Sequence, residues 1–172
     1  MVHEMLDTDK KQIIYLISGP LGVGKSTITK ELAEKVTGCV LIEGDVILHM
    51  FKGESQPCWD ERLEITWKNI VDLTRNYIKH GLNVVIDFVV EDELDWFCKQ
   101  ISDLNVNFKY VVLRADKETI IERLNKRGDI DSLERSLFLL NEMENSSANK
   151  NFLYDTIHKQ PAEIVRDIIN GN

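Results

Sequence analysis

Gly19-Pro20-Leu21-Gly22-Val23-Gly24-Lys25-Ser26 fills every fixed position of the phosphate-binding pattern G-x-x-x-x-G-K-[ST], with Thr27 directly behind it. The run before it, Ile13-Ile14-Tyr15-Leu16-Ile17, is unbroken apolar sequence and predicts a parallel strand buried on both faces. The run after it, Thr27 to Val36, puts Ile28, Leu32 and Ala33 on one side and Lys30, Glu31 and Glu34 elsewhere, which predicts a helix. Strand, glycine-rich loop, helix is the setting that makes such a pattern a site. The glycines let successive backbone N–H groups curl around an anion, and the helix N-terminus faces it with about half a positive charge. Lys25 is then placed to reach the β- and γ-phosphates of ATP, and Ser26 to offer its hydroxyl to Mg²⁺. A tight turn alone requires neither the Lys-Ser pair nor its register. Nucleotide binding by Gly19, Pro20, Leu21, Gly22, Val23, Gly24, Lys25, Ser26 and Thr27 is the first expectation.

The chain has 172 residues, 43% of them hydrophobic, enough for one core and too few for two ordinary domains. A single domain over 12–172 is expected, with 1–11 as a mobile tail. The 21 Lys and Arg against 29 Asp and Glu leave a net charge of -8, which disfavours nucleic acid and anionic membranes as partners and favours a small acceptor. Cys39, Cys58 and Cys98 are odd in number and widely spaced, which fits a reduced cytoplasm. The first nine residues lack the basic start and apolar core of a signal peptide, and no apolar run approaches a membrane span.

Further strands are expected at Cys39–Ile42, Asn83–Asp87, Phe108–Leu113 and Phe152–Tyr154, alternating with helices. Ligands of open parallel sheets gather at the carboxyl ends of strands, and two of these runs end in acid, at Asp45 and Asp87. Asp45 is read as a reactive group, or alternatively as the N-cap of a helix from Val46 to Phe51. Asp87 resembles the strand-end carboxylate that arranges Mg²⁺ beside a phosphate loop. The long stripe from Trp59 to His80, including Trp67 and Tyr77, is read as core; Arg62 and Glu64 at its start are weak candidates for an acceptor pocket. Glu91, Asp92, Glu93 and Asp95 are read as capping a helix that runs to about Asp103. Arg123 and Arg127 share a helix face that leads into a break at Gly128-Asp129, with a helix resuming from Ser132 to Glu144. Two guanidinium groups beside a hinge suit a lid, about 123–147, that closes on transferring phosphates. Asp155 to Gln160, after the last strand, is expected to border the nucleotide base. His158 has no partner visible from spacing and receives no catalytic role.

Motifs in this order, on five strands alternating with helices, make the chain resemble the small P-loop kinases related to gluconate kinase and shikimate kinase. The resemblance spans Gln12 to Ile169 and is closest to gluconate-kinase-like proteins through Gly19 to Ser26, Ile42-Glu43-Gly44-Asp45, Thr66-Trp67-Lys68-Asn69-Ile70 and Val85-Ile86-Asp87. It implies an α/β P-loop fold of three layers, a five-stranded parallel sheet in the order 2-3-1-4-5 and a helical lid. It also implies ATP and Mg²⁺, with Asp45 taking the proton of an acceptor hydroxyl and Asp87 helping to arrange metal and acceptor. The gluconate kinase turn Gly-Asp-x-x-His is not reproduced, because His49 stands one position later, a rotation of about 100° on a helix. The shikimate-binding glycine run is replaced by Asp87-Phe88-Val89. The expected activity is transfer of the γ-phosphoryl of ATP to a small hydroxyl compound, with Lys25, Asp45, Arg123 and Arg127 catalytic and Ser26 and Asp87 at the metal, in a monomer or homodimer. A polynucleotide or nucleotide 5′-hydroxyl kinase and a nucleotide-binding module without transfer are the alternatives. A GTPase is disfavoured because Asn125-Lys126-Arg127-Gly128 lacks the guanine-reading aspartate.

Overall fold

Five apolar runs of three to eight residues pair side by side, all parallel, in the order β2-β3-β1-β4-β5. The computed structural model describes residues 11–171. The strands are β1 (Ile13–Ser18), β2 (Cys39–Glu43), β3 (Asn83–Asp87), β4 (Asn107–Arg114) and β5 (Leu153–Asp155). Central β1 is buried along nearly its whole length because helices cover both faces, as its unbroken apolar sequence requires. The helices are α1 (Lys25–Lys35), α2 (Gly44–Leu48), α3 (Trp59–Lys79), α4 (Leu94–Gln100), α5 (Lys117–Arg127), α6 (Leu133–Asn145) and α7 (Pro161–Asn170), and a 3₁₀ turn at Ile130–Ser132 precedes α6. The expected sheet order and three-layer architecture are therefore present. All of the expected tail except Lys11 lies outside the described residues.

The sheet separates two cores. On one side Ile14, Leu16, Val84 and Ile86 meet α3 and α4, where Trp67 packs against Phe88 and Phe97 with ring centroids 5.1 and 5.9 Å apart. On the other, Tyr15, Ile17, Val85 and Leu113 meet α1, α5 and α7. Trp67 is thus core, as its place in the stripe expects.

Local boundaries differ from the sequence reading where one residue changes the physics. The helix after β2 begins at Gly44 with Glu43 as its N-cap, so Asp45 sits inside the first turn and is not itself the cap. Gly44 enters the helix because it has no side chain: a Cβ there would come within 2.8 Å of Phe88 Cβ and closer still to its ring. The helix then stops at Leu48 rather than Phe51. The helix after β3 ends at Gln100, short of Asp103, and the last strand runs one residue later than expected, at Leu153–Asp155. The acidic run before α4 makes no side-chain cap on it: the Glu93 carboxylate accepts the N–H groups of Glu91 and Asp92, which precede the helix, and Asp95 alone stands in the first turn.

The contact of Gly44 with Phe88 fixes where Asp45 stands, so a methyl group there strains both. Gly44→Ala should lower stability by about 1–3 kcal/mol, read as a fall in the thermal or urea midpoint; an unchanged midpoint would show that Phe88 moves aside freely.

Candidate active site

The loop between β1 and α1 turns on one buried amine. Lys25 Nζ donates to Gly19 O at 2.8 Å and Pro20 O at 3.1 Å, folding the side chain back along the loop that carries it. Gly19 tolerates this close approach with φ of 144°, and a Cβ there would lie 2.6 Å from Leu113 O. Two other elements hold the loop from above. Arg123 Nη1, from α5, donates to Val23 O at 2.7 Å, and Ser136 Oγ, from α6, donates to Leu21 O at 2.7 Å.

Register places the acids around this amine. Glu43 on β2 is opposite Asp87 on β3, and Ile17 on β1 flanks Asp87 on the other side, so the carboxyl ends of three adjacent strands meet beside the loop. Asp87 is 6% exposed and accepts from Thr29 Oγ1 at 3.1 Å. Burial holds its carboxyl above the usual carboxylate range; Lys25 and the hydroxyls of Ser26 and Thr29 pull it back down, and Asp45 pushes it up. Burial likewise holds the Lys25 ammonium below the usual lysine range, opposed by Asp87 and Asp45 and reinforced by Arg127. Lys25, Asp45, Asp87 and Arg127 therefore lie within one electrostatic neighbourhood.

Arg123 and Arg127 occupy the α5 face that meets the phosphate loop, Arg123 half-buried and Arg127 exposed at the helix end. Between this face, α1 and the chain following β5 lies a cleft of about 410 Å³, lined among others by Gly24, Thr27, Arg123, Thr156 and Pro161. Thr156 stands within the stretch expected to border a base, and its Oγ1 is tied to Arg114 O. His158 adopts φ of 60°, a left-handed conformation in the same connection.

Ser26 at the start of α1 and Asp87 at the end of β3 offer a hydroxyl and a carboxylate on the same side of the loop, the hydroxyl favouring the ionised carboxylate. Oxygen donors of this kind suit Mg²⁺, which takes one or two protein ligands and completes its shell with water and substrate phosphate. Among the described residues no group of three or more His, Cys, Asp and Glu is assembled. The donor set thus fits Mg²⁺ and does not resemble a dedicated protein cage.

Glu64 does not join the site: it is exposed and paired with Lys68 one turn away. Arg62 lies over the Trp59 ring, 5.4 Å from its centroid, and donates to Gln56 Oε1 at 3.1 Å. His49 remains on the face of Asp45 despite its shift, with Nδ1 2.6 Å from Asp45 O. Residue spacing gave no sign of Arg135, whose guanidinium pairs with Glu91 and lies over Phe138, joining α6 to the loop after β3. Nor did it single out Thr29, one turn into α1 from Lys25.

The family described as "AAA domain" matches residues 14–146. The chain belongs to that family. Among curated proteins, a "Putative adenylate kinase" of Pyrococcus furiosus is 31% identical over 165 residues, covering 92% of this chain and 83% of that one. A protein of the same name from Thermococcus kodakarensis is 33% identical over 164 residues, covering 92% and 84%. Among solved structures, the Mycobacterium tuberculosis APS kinase superposes with a TM-score of 0.70 at 13% identity over 93% of this chain and 96% of that one. A gluconokinase from Sinorhizobium meliloti superposes with a TM-score of 0.64 at 20% identity, covering 94% and 90%. At these identities the superpositions speak for the fold alone. Among the described residues no helix is long and apolar enough to cross a membrane.

Thr29 has one hydroxyl proton for three oxygens within reach, Lys25 O at 3.0 Å, Asp87 Oδ2 at 3.1 Å and Ser26 O at 3.4 Å. Thr29→Val removes the donor that favours the ionised carboxylate, so the Asp87 carboxyl should titrate at higher pH by NMR. The sign for stability follows. A carboxyl raised above its unfolded value contributes stability below the unfolded value, near pH 4, and loses it as pH rises through the folded value. The variant's melting deficit should therefore be larger at neutral pH than near pH 4, and an equal deficit at both would count against the bond.

Proposed function

We propose that this protein transfers the γ-phosphoryl of ATP to a hydroxyl group of a small-molecule acceptor. The observation that carries this reading is the place of Asp45. It follows the end of β2 beside the phosphate loop, close enough to bias both Lys25 and Asp87. The kinase names among the relatives and the fold neighbours support phosphotransfer in general.

In this reading the free backbone N–H groups of the Gly19–Thr27 loop, Pro20 having none, and the Lys25 ammonium hold the phosphates. The two hydrogen bonds from Lys25 to loop carbonyls keep the amine in place until phosphate oxygens replace them. The cleft beside Arg123, Thr156 and Pro161 receives the nucleoside end. Ser26 and Asp87 are the residues that would hold Mg²⁺, which would supply screening of the phosphate charge. Asp45 accepts the proton of the acceptor hydroxyl as the new P–O bond forms and the bond to ADP breaks. Arg123 and Arg127 face the phosphate chain from the lid side, where guanidinium groups stabilise charge on the transferring group. Most of the rate enhancement arises from positioning and electrostatics, since no residue forms a covalent intermediate.

A second reading, phosphorylation of a nucleoside monophosphate, is favoured by the name of the Pyrococcus and Thermococcus relatives. Asp45 argues against it. A phosphate acceptor is already ionised and needs no base, and a carboxylate beside it is repulsive. A polynucleotide acceptor is disfavoured by the net charge of -8.

The test is acceptor-dependent ADP release with Mg²⁺ and ATP across hydroxyl metabolites, nucleosides, nucleoside monophosphates and oligonucleotides. Asp45→Asn should cut turnover of a hydroxyl acceptor by about 10²-fold or more while ATP affinity stays near that of the parent. Parental turnover in that variant, or turnover of AMP alone, would overturn the hydroxyl reading.

A further inference from the structure

One polar residue interrupts the apolar face of α6. The buried positions of that helix are Ser136, Leu139, Leu140 and Met143, the spacing of a core-facing stripe, with a serine where the pattern asks for an apolar side chain. A serine inside a helix ordinarily returns its hydroxyl to the carbonyl one turn back. Ser136, fully shielded from solvent, instead donates to Leu21 O at 2.7 Å, in the phosphate loop. Its neighbour Arg135 pairs with Glu91 in the connection that follows β3, so α6 is fastened at the point where this bond is made.

Holding a carbonyl of the loop aims the N–H of the same peptide. Every peptide bond among the described residues is trans, and in a trans peptide C=O and N–H point to opposite sides of the chain. With Leu21 C=O turned to α6, Gly22 N–H turns away from it. With Val23 C=O turned to Arg123 on α5, Gly24 N–H is set in the same manner. Between them Val23 N–H is bonded back to Pro20 O at 3.4 Å, while Gly22 and Gly24 donate no backbone hydrogen bond among the described residues. Aimed and unbonded N–H groups in one short loop are what an anion-binding concavity is made of.

Gly22 makes this aim insecure. Its φ is 78°, and the peptide before a glycine turns over easily because no Cβ resists either conformation. Turned over, the Leu21–Gly22 peptide would present its oxygen to a phosphate and repel what its N–H attracts. A larger residue cannot supply the restraint, since a Cβ on Gly22 would lie 2.9 Å from Leu124 Cγ. We propose that Ser136 is a positioning residue of the phosphate loop, its hydroxyl holding the Leu21–Gly22 peptide so that Gly22 N–H faces the bound phosphates. This rests on the donor half of the phosphotransfer reading, phosphate held by the loop, and is independent of the acceptor. The coupling is reciprocal: phosphate that engages Gly22 N–H steadies α6, and displacement of α6 frees the peptide.

The probes are pyrophosphate and a non-hydrolysable ATP analogue, each with Mg²⁺, followed by calorimetry and by the amide proton shifts of Gly22 and Gly24. In the parent both amide protons should move downfield at saturation. Ser136→Ala should bind pyrophosphate about tenfold more weakly, the order expected for one lost hydrogen bond. At saturation it should lose the Gly22 shift and keep the Gly24 shift, whose peptide Arg123 still holds. Ser136→Cys, a weak donor of similar shape, should recover part of both effects. Met143→Ala opens a cavity about two turns along the same helix without removing a donor to the loop, so it should lower the melting midpoint and keep parental pyrophosphate affinity. Parental affinity in Ser136→Ala, equal loss of the two glycine shifts, or the same weakening in Met143→Ala would overturn the inference and leave Ser136 a packing residue. If Ser136→Ala does not fold, Ser136→Cys decides: a Gly22 shift reduced beside an intact Gly24 shift sustains the inference, and an undiminished one overturns it. Selective loss of the Gly22 shift in a protein that turns over no hydroxyl acceptor would sustain the role of Ser136 and overturn only the hydroxyl reading.

Discussion

A buried lysine ammonium cannot stand alone, and Lys25 dictates the arrangement of everything near it. Its Nζ is bonded to the carbonyls of Gly19 and Pro20 and lies near Asp87 and Asp45. The neighbouring loop carbonyls are engaged in the same manner, Leu21 O by Ser136 and Val23 O by Arg123. Four carbonyls of one short loop thus accept side-chain donors from α1, α5 and α6. With these acceptors turned toward side-chain donors, and only Val23 N–H bonded back to Pro20 O at 3.4 Å inside the loop, the remaining loop N–H groups are left for an anion. The cradle is a consequence of where the loop's oxygens are held.

The same amine governs the acids. Burial raises the Asp87 carboxyl above the usual carboxylate range, and Lys25 with the hydroxyls of Ser26 and Thr29 draws it back toward the ionised form. Parallel register places it next to Glu43 and Ile17, so the position of the carboxylate is set by three strands rather than by a loop. Asp45, one residue beyond the buried Gly44, is exposed and held only by its short helix. One carboxylate is fixed and desolvated, the other open to an incoming molecule.

The parts of this arrangement written in short-range pattern were legible in the sequence. Ile13 to Ile17 and Asn83 to Asp87 are apolar runs that only a doubly covered sheet accommodates, and Gly19 to Ser26 has a spacing that few other loops require. Arg123 and Arg127 could be put on one face because four residues make about one helical turn. The parts that depend on distant partners were not legible. Ser136 meets Leu21 across 115 residues and Arg135 meets Glu91 across 44, and neither pair leaves a trace in local periodicity. The start of α2 at Gly44 was missed for a related reason. Asp is the better N-cap by propensity, but the space beneath Phe88 admits only a glycine at that point and moves the helix start back by one residue.

Lys109 gives the molecule a mechanical asymmetry. From β4 it caps the carbonyls of Ile168 and Ile169 at the end of α7 at 3.2 and 2.7 Å, while Gln160 and Glu163 clamp the beginning of the same helix in a capping box. α7 is therefore anchored at both ends, and through Pro161 and Ile164 it forms one wall of the cleft beside the phosphate loop. The opposite bank, five-residue α2 and the irregular chain up to Trp59, has no such double anchorage among the described residues. One bank of the site is a rigid jaw already set at rest, and the ordering entropy of assembly falls on the other.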